Sequence, residues 1–381
     1  MVKNPASDPK NLALSRQPRP TMTDVAKLAG VSQSTVSMVL NNVTSARLSA
    51  DTRSKVLDAA LSIGYQLSRS ARHEPSFLLQ SLRPDAFPSH KNKRLIVYLV
   101  DEISTSPHPV VSVDGARDAA WEHDCILNVA ITHGKPEQEQ AIIETAFANP
   151  MLLGFVYSTI FTRSVQLPGL LENVPTVLLN CHDDSQKRPT VVPGELAGGH
   201  TATDHLIACG HERIGFINGE PWMEAAKDRL KGYRRALATA DLPFDPSLIR
   251  DGDWMSGSGF DATLSLMSLA KAPSAIFCAN DLMAIGAMEA LKSLGLHVPN
   301  DVSVMGYDDQ EISRHTHPPL STVLLPNYEM GRTAVETLIH ESESFHTNHL
   351  NTPAKTRRML LKVDCPLVER QSVRFLEKRE F

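Results

Sequence analysis

The stretch TMTDVAKLAGVSQSTVSMVLNN, residues 21–42, contains two short segments with helical apolar spacing that meet at Gly30-Val31. Behind a Thr21 cap, Met22, Val25, Leu28 and Ala29 fall on one helical face, and Gly30 supplies the positive φ that ends a helix at little cost. Ser32 caps a second helix whose Val36, Val39 and Leu40 form a buried stripe. A third helix opens near Ser49, carries Val56, Leu57, Ala60 and Ile63, and stops at Gly64. The spacing therefore predicts a compact three-helix unit. With Val36 at the centre of the buried face and about 100° per residue, Ser34, Ser37, Met38 and Asn41 point outward and Gln33 splays out at the helix start. That outer face carries hydroxyls, amides and a thioether where a solvated helix would carry charge.

The distribution of charge says what such a face is for. The 381-residue chain has a formal net charge of −5, yet residues 1–73 hold 10 Lys+Arg against 4 Asp+Glu and the remainder holds 28 against 39. A basic head on an acidic body implies that only the head meets a polyanion. An uncharged helix face suits base edges in a major groove, where amides read adenine and methyl-bearing groups touch thymine. Gln33, Ser34, Met38 and Asn41 are the candidate base contacts, and Thr21, Ser32, Thr35, Ser37, Ser49, Thr52 and Arg53 are the candidate phosphate contacts. The alternative is a three-helix protein-interaction module. Two helices joined by a Gly-containing turn in a basic segment fit DNA-reading geometry better.

Outside this unit the organisation changes. Residues 1–20 are read as a disordered arm, 21–67 as the helix-turn-helix domain, 68–93 as hinge and linker, 94–373 as a two-lobed body and 374–381 as a tail. In the body, the apolar runs RLIVYLV, CILNVAI, LLGFVYS, PTVLLN, RIGFING, SAIFCAN and DVSVMGY alternate with amphipathic stretches, which implies parallel strands covered by helices on both faces. About 280 residues of this pattern exceed one sheet of usual size, so two similar α/β lobes are expected. The five cysteines are widely spaced and never form CxxC, and read as buried small hydrophobes. There is no signal-peptide h-region and no long uncharged apolar run, so the expected location is cytoplasmic. Catalytic motifs are missing: no HExxH, no GxSxG, and the GSG of Gly257–Gly259 lacks the remaining glycine of a dinucleotide fingerprint and the lysine of a P-loop. No cofactor or metal is expected, and His315 and His317 read as loop residues.

Asp24-Val25-Ala26, Ala29-Gly30-Val31-Ser32, Thr35-Val36-Ser37, Val39-Leu40-Asn41 and Thr52-Arg53 together resemble the headpiece of the LacI/GalR family of bacterial transcription regulators, and the resemblance runs on to about residue 373. It implies an all-α helix-turn-helix headpiece joined to a periplasmic-binding-protein-like α/β body of two Rossmann-like lobes. It further implies that Gln33 and Ser34 read bases. Met38 stands where most members carry an arginine, so the preferred operator is expected to differ at the matching base pair. In the hinge, Leu67-Ser68 and Glu74 depart from the family's Pro-Asn pair and groove-wedging leucine. Either Phe77 or Leu78 takes the wedge's part, or the hinge bends DNA less.

In the body, Asp228-Arg229-Leu230-Lys231-Gly232, Cys278-Ala279-Asn280-Asp281 and Gly306-Tyr307-Asp308-Asp309 resemble the family's effector-site motifs. The resemblance implies that Arg229 clamps ligand hydroxyls or a carboxylate, with Asp308 and Asn280 beside it. Trp254 is an aromatic plate for a sugar face or ordinary core; Ser106 lies in the loop after the first body strand, which the resemblance places at the cleft, the neighbouring His108 either reaches a ligand or is a solvent-facing loop histidine, and Asn327 sits near the crossover between lobes. Glu195 reads as a favourable charge at a helix start. The expected protein is a nucleoid-associated repressor of the cytoplasm. A homodimer binds a palindromic double-stranded operator under control of a small polar effector, a sugar or sugar derivative. Alternatives are a purine or phosphorylated-sugar effector, or a solute-binding receptor without DNA function.

Overall fold

A computed structural model describes residues 20–40, 48–63, 93–184, 187–348 and 359–376. Asn41, Gly64, the hinge departures at Leu67, Ser68, Glu74, Phe77 and Leu78, and nearly all of the arm lie outside the described residues. The chain divides into two compact units, residues 1–89 and 90–381.

The first unit contains α1 (Met22–Ala29), α2 (Gln33–Leu40) and α3 (Ala50–Ser62). Thr21 caps α1 through a reciprocal capping box with Asp24, and Gly30 ends it in the left-handed region at φ 65°. The core is Val25, Ala26, Val36, Val39, Val56, Ala59 and Ala60. One expectation fails: Leu28 is 57% exposed. Relative to Met22, Val25, Ala26 and Ala29 lie within about 60° around the helix, whereas Leu28 lies about 120° away. A core this narrow admits only the first set.

The body begins with β1 (Arg94–Val100), α4 (His108–Glu122), β2 (Cys125–Ile131), α5 (Pro136–Phe147), β3 (Leu152–Ser158), β4 (Thr176–Leu179) and β5 (Thr190–Pro193). It continues with α6 (Glu195–Ala208), β6 (Ile214–Asn218), α7 (Glu224–Thr239), β7 (Ile249–Asp251), α8 (Ser256–Met267), β8 (Ala275–Cys278), α9 (Asp281–Ser293) and β9 (Ser303–Met305). It closes with β10 (Thr322–Val323), α10 (Asn327–Asn348), β11 (Leu360–Val363) and β12 (Leu367–Val368).

All seven apolar runs are strands. A six-stranded sheet of order β11-β5-β4-β3-β1-β2 and a four-stranded sheet of order β7-β6-β8-β9 make the two lobes, and every described pairing within them is parallel. In β1, Ile96, Tyr98 and Val100 pack with Ala116 and Ala120 of α4 and Met330 and Leu338 of α10. Val97 and Leu99 pack on the opposite face with Ile143 of α5. Burial on both faces is why the run is continuously apolar. The second lobe is centred on Phe216, Tyr233 and Phe277, with Phe216 and Tyr233 stacked at 5.2 Å. All five cysteines are buried and unpaired.

The chain passes between lobes after β5, after β10 and after β11, and β10 and β12 form a small antiparallel ribbon. These crossings bring the carboxyl ends of both parallel sheets to face one cleft, the position where open α/β sheets bind ligands. No described helix is long and apolar enough to cross a membrane.

Candidate functional site

In the headpiece, the first turns of the three helices are built by hydroxyls. Ser32 Oγ accepts from the Thr35 N–H at 3.1 Å and lies 2.7 Å from Ser34 Oγ and 2.8 Å from Thr35 Oγ1. Ser49 does the same for α3, accepting from the Thr52 N–H at 3.1 Å with Thr52 Oγ1 at 2.8 Å. Thr21 donates to Asp24 Oδ2 at 2.6 Å. Of the hydroxyls singled out for phosphate, Thr21, Ser32, Thr35, Ser49 and Thr52 sit at helix N-termini, beside backbone N–H groups that favour anions, whereas Ser37 lies in the middle of α2. Gln33 and Ser34 are exposed at the start of α2; Thr35, Ser37 and Met38 are half-buried, as are Thr52 and Arg53 on α3. No charged residue occurs in α2.

In the body, a cavity of about 260 Å³ opens at the carboxyl ends of both sheets. Ser106, His108, Arg229, Trp254, Asn280, Asp308 and Asn327 all line it. Pro107 and Pro109 start α4 where their missing N–H groups cost nothing, which fixes His108 at the cleft. The His108 Nδ1 accepts from the Asn327 amide at 3.0 Å, leaving the ring proton on Nε2, 3.4 Å from Asp308 Oδ2. This contact joins the first lobe to the second. Ser106 Oγ accepts from the His108 N–H at 3.3 Å.

Arg229, on α7, is 3% exposed. Its Nε and Nη2 donate to both oxygens of Glu195 at 2.7 and 2.8 Å, Nη1 donates to the Ala279 carbonyl, and Nη2 lies 3.6 Å from Asp308 Oδ1. The guanidinium also lies over the Tyr307 ring at 3.7 Å. Burial works against its charge, but the carboxylates of Glu195 and Asp308 outweigh that and hold its pKa above the ordinary value. Behind Asp308, Asp281 accepts from Thr322 Oγ1 at 2.6 Å and from the Gln310 N–H at 2.8 Å. Burial, reinforced by Asp308, pushes the Asp281 pKa well above the usual carboxylate range.

Asn280 caps α9, accepting from the Met283 N–H at 2.9 Å, while its Nδ2 donates to the Trp254 carbonyl at 2.9 Å. The Trp254 indole N–H donates to the Met223 sulfur at 3.0 Å, and the ring lies against Gly219, where any Cβ would come within 1.9 Å of it. Asn180, Trp254 and Asp308 all hold positive φ, at 57°, 69° and 107°. Such backbone costs about 1–3 kcal/mol per residue and concentrates at ligand clamps.

Both units have counterparts among known proteins. Residues 21–68 match the bacterial regulatory proteins of the lacI family, and residues 203–373 match the periplasmic binding protein-like domain. The ribose operon repressor of Haemophilus influenzae is 30% identical over 351 residues, covering 92% of this chain and 98% of that protein. This chain belongs to the LacI family of bacterial transcription regulators. A second relative of this repressor, the HTH-type transcriptional repressor PurR of Aliivibrio fischeri, is 33% identical over 325 residues, 84% of this chain and 90% of the relative. The solved complex of the regulator CelR with cellobiose is 29% identical, with a TM-score of 0.59 over 93% of this chain and 100% of that one. The lac repressor dimer bound to operator and an anti-inducer is 27% identical, with a TM-score of 0.61 over 94% and 100%. The protein is thus a DNA-binding transcriptional repressor of the LacI family, and its relatives are regulators, not enzymes.

Several residues of the repressor's cleft went unnoticed in the sequence. Ile160, Phe161, Thr162 and Asn180 reach it from the first lobe, and Met223, Leu282, Gln310 and Leu325 from the second or its crossings. Glu195, read as a helix-start charge, does open α6 but is also the partner that holds Arg229. None of these belongs to a local motif.

Proposed function

We propose that this LacI-family repressor's operator affinity is controlled by a sugar or sugar derivative held in the cleft between the lobes. The observation that carries the reading is the cleft's chemistry: an indole beside Arg229 and Asp308, with amide and imidazole groups of Asn280, Asn327 and His108 around it. An aromatic plate takes the apolar face of a pyranose or furanose, and convergent donors and acceptors take its hydroxyls. Two of the relatives' names support the reading, and those of the PurR relatives do not. Of the supporting two, one is a ribose operon repressor, and the other is solved with cellobiose.

The repressor reads DNA through Gln33, Ser34, Met38 and Asn41, with phosphates held by the hydroxyls at the helix starts and by Arg53. It acts as a homodimer, since one headpiece reads half of a two-fold symmetric operator. A surface suited to the second copy is the first lobe's edge: β2 closes one side of its sheet, Ile126 and Val129 are exposed there, and so are Val110, Val111 and Trp121 of α4. Ligand binding shifts the equilibrium between two lobe arrangements. A tenfold change in operator affinity needs a preference of only about 1.4 kcal/mol, within the usual range of coupling energies.

Calorimetry of the full chain with ribose, cellobiose, other neutral sugars and purine bases tests the effector reading. A neutral sugar is expected to bind and to alter operator affinity, and Trp254→Ala to weaken it at least tenfold. Binding of a purine with no response to any sugar would overturn it.

A further inference from the structure

The titratable side chains lining the cleft are Arg229, Glu195, Asp308 and His108. Arg229 is the one permanent cation among them, and three of its five N–H groups are spent inside the protein. Two of its nitrogens are tied to both oxygens of Glu195, the third donates to the Ala279 carbonyl, and one of the first two also faces Asp308. One face of the guanidinium is covered by Tyr307. A phosphate or carboxylate would meet in Arg229 a charge already neutralised by Glu195, and could take over its bidentate contact only by displacing that carboxylate. That carboxylate is 7% exposed, and among the described residues Arg229 is the side chain that bonds it. Breaking one side of a buried pair leaves an uncompensated charge, one of the more costly changes a protein interior can undergo. The incoming anion would also face Asp308, a like charge with no spare cation between them.

Neutral groups meet a different surface. Asp308, which accepts from Gln310, Asn327, which donates to His108, and the mutually bonded Thr162 and Asn180 line the cleft, and ligand hydroxyls can exchange with such bonds without a charge to be compensated.

We propose that Glu195 sets the charge specificity of the effector site: by neutralising Arg229 it makes the cleft select an uncharged polyhydroxylated ligand and reject phosphorylated or carboxylated ones. This rests on the reading that the cleft holds the effector, and it adds which class of that effector is admitted. Glu195 is a positioning and specificity residue, acting through Arg229.

The test uses the full chain and probes that differ only in charge: ribose against ribose 5-phosphate, glucose against glucose 6-phosphate, and inorganic phosphate alone. In the wild type, the neutral member of whichever pair binds is expected to be at least tenfold tighter than its phosphate ester, and inorganic phosphate to give no saturable thermal shift. Glu195→Gln releases the Arg229 charge, so the neutral-to-phosphate ratio should fall at least tenfold and a saturable shift with inorganic phosphate should appear. Glu195→Asn serves as a second variant should the first melt early. A wild-type protein that binds the phosphate ester as tightly as the neutral sugar, or inorganic phosphate shifts unchanged by either substitution, would overturn the proposal. If no sugar of either kind binds, the sugar reading fails, and the inorganic-phosphate comparison still decides the role of Glu195.

Discussion

Replacing Arg229 with methionine should destabilise the body more than most single substitutions do. The side chain is 3% exposed and is the charge partner of Glu195 at 2.7 Å and of Asp308 at 3.6 Å. Arg229→Met leaves the Glu195 carboxylate buried without compensation, and removing one member of a buried pair costs about 3–5 kcal/mol. For a body of this size each kcal/mol moves the melting midpoint by about 2–4 °C, so a loss of roughly 6–20 °C follows. Adding Glu195→Leu should recover most of that loss, because two apolar side chains of similar volume replace the pair beside Tyr307 and Trp254, while Asp308 keeps His108 and Gln310. Urea denaturation of wild type, both single variants and the double variant measures the coupling. The expected coupling is about 2–4 kcal/mol. A loss below about 1 kcal/mol for Arg229→Met, or a double variant no better than that single one, would refute the reasoning.

Three further outcomes are expected. Met38→Arg should shift the preferred operator toward guanine at one base pair, with discrimination of about 1–3 kcal/mol from a bidentate contact; identical sites recovered by selection with both proteins would count against Met38 as a base contact. His211 is buried, which pushes its pKa down to about 4. The unfolded chain takes up that proton near the ordinary histidine value and the folded one near pH 4, so this residue's contribution falls as the pH drops from about 6.5 to about 4. Urea midpoints of His211→Gln should therefore decline less steeply over that window, and parallel profiles would remove His211 as a source of acid sensitivity. Gly219→Ala places a methyl group against the Trp254 ring and should weaken effector binding at least tenfold with little change in the headpiece; unchanged affinity in calorimetry would separate the indole from the site.

The parts legible in the sequence were those carried by local pattern. The seven apolar runs are parallel strands, six of them largely buried and only the edge strand β2 partly exposed, and Thr21, Gly30, Ser32 and Ser49 mark helix ends through chemistry that acts within three or four residues. Leu28 was misjudged because helical spacing gives a face but not how wide a core that face meets. Strands β5, β7, β10, β11 and β12, of two to four residues, are not among the seven runs; β4, β8 and β9 are as short but lie inside the longer stretches PTVLLN, SAIFCAN and DVSVMGY. The seven candidate effector residues do meet in one cavity, but the Glu195–Arg229 pair spans 34 positions and the His108–Asn327 contact spans 219. Pairings at that separation exist only once the three crossings have brought the lobes together.

The most direct measurement is operator binding by the full chain, followed by fluorescence anisotropy at fixed ionic strength while neutral sugars are titrated in. The account predicts tight, sequence-selective binding of a palindromic duplex by two copies of the chain, changed at least tenfold by one neutral sugar and left unchanged by that sugar in Trp254→Ala. Selective binding that no sugar alters would contradict it.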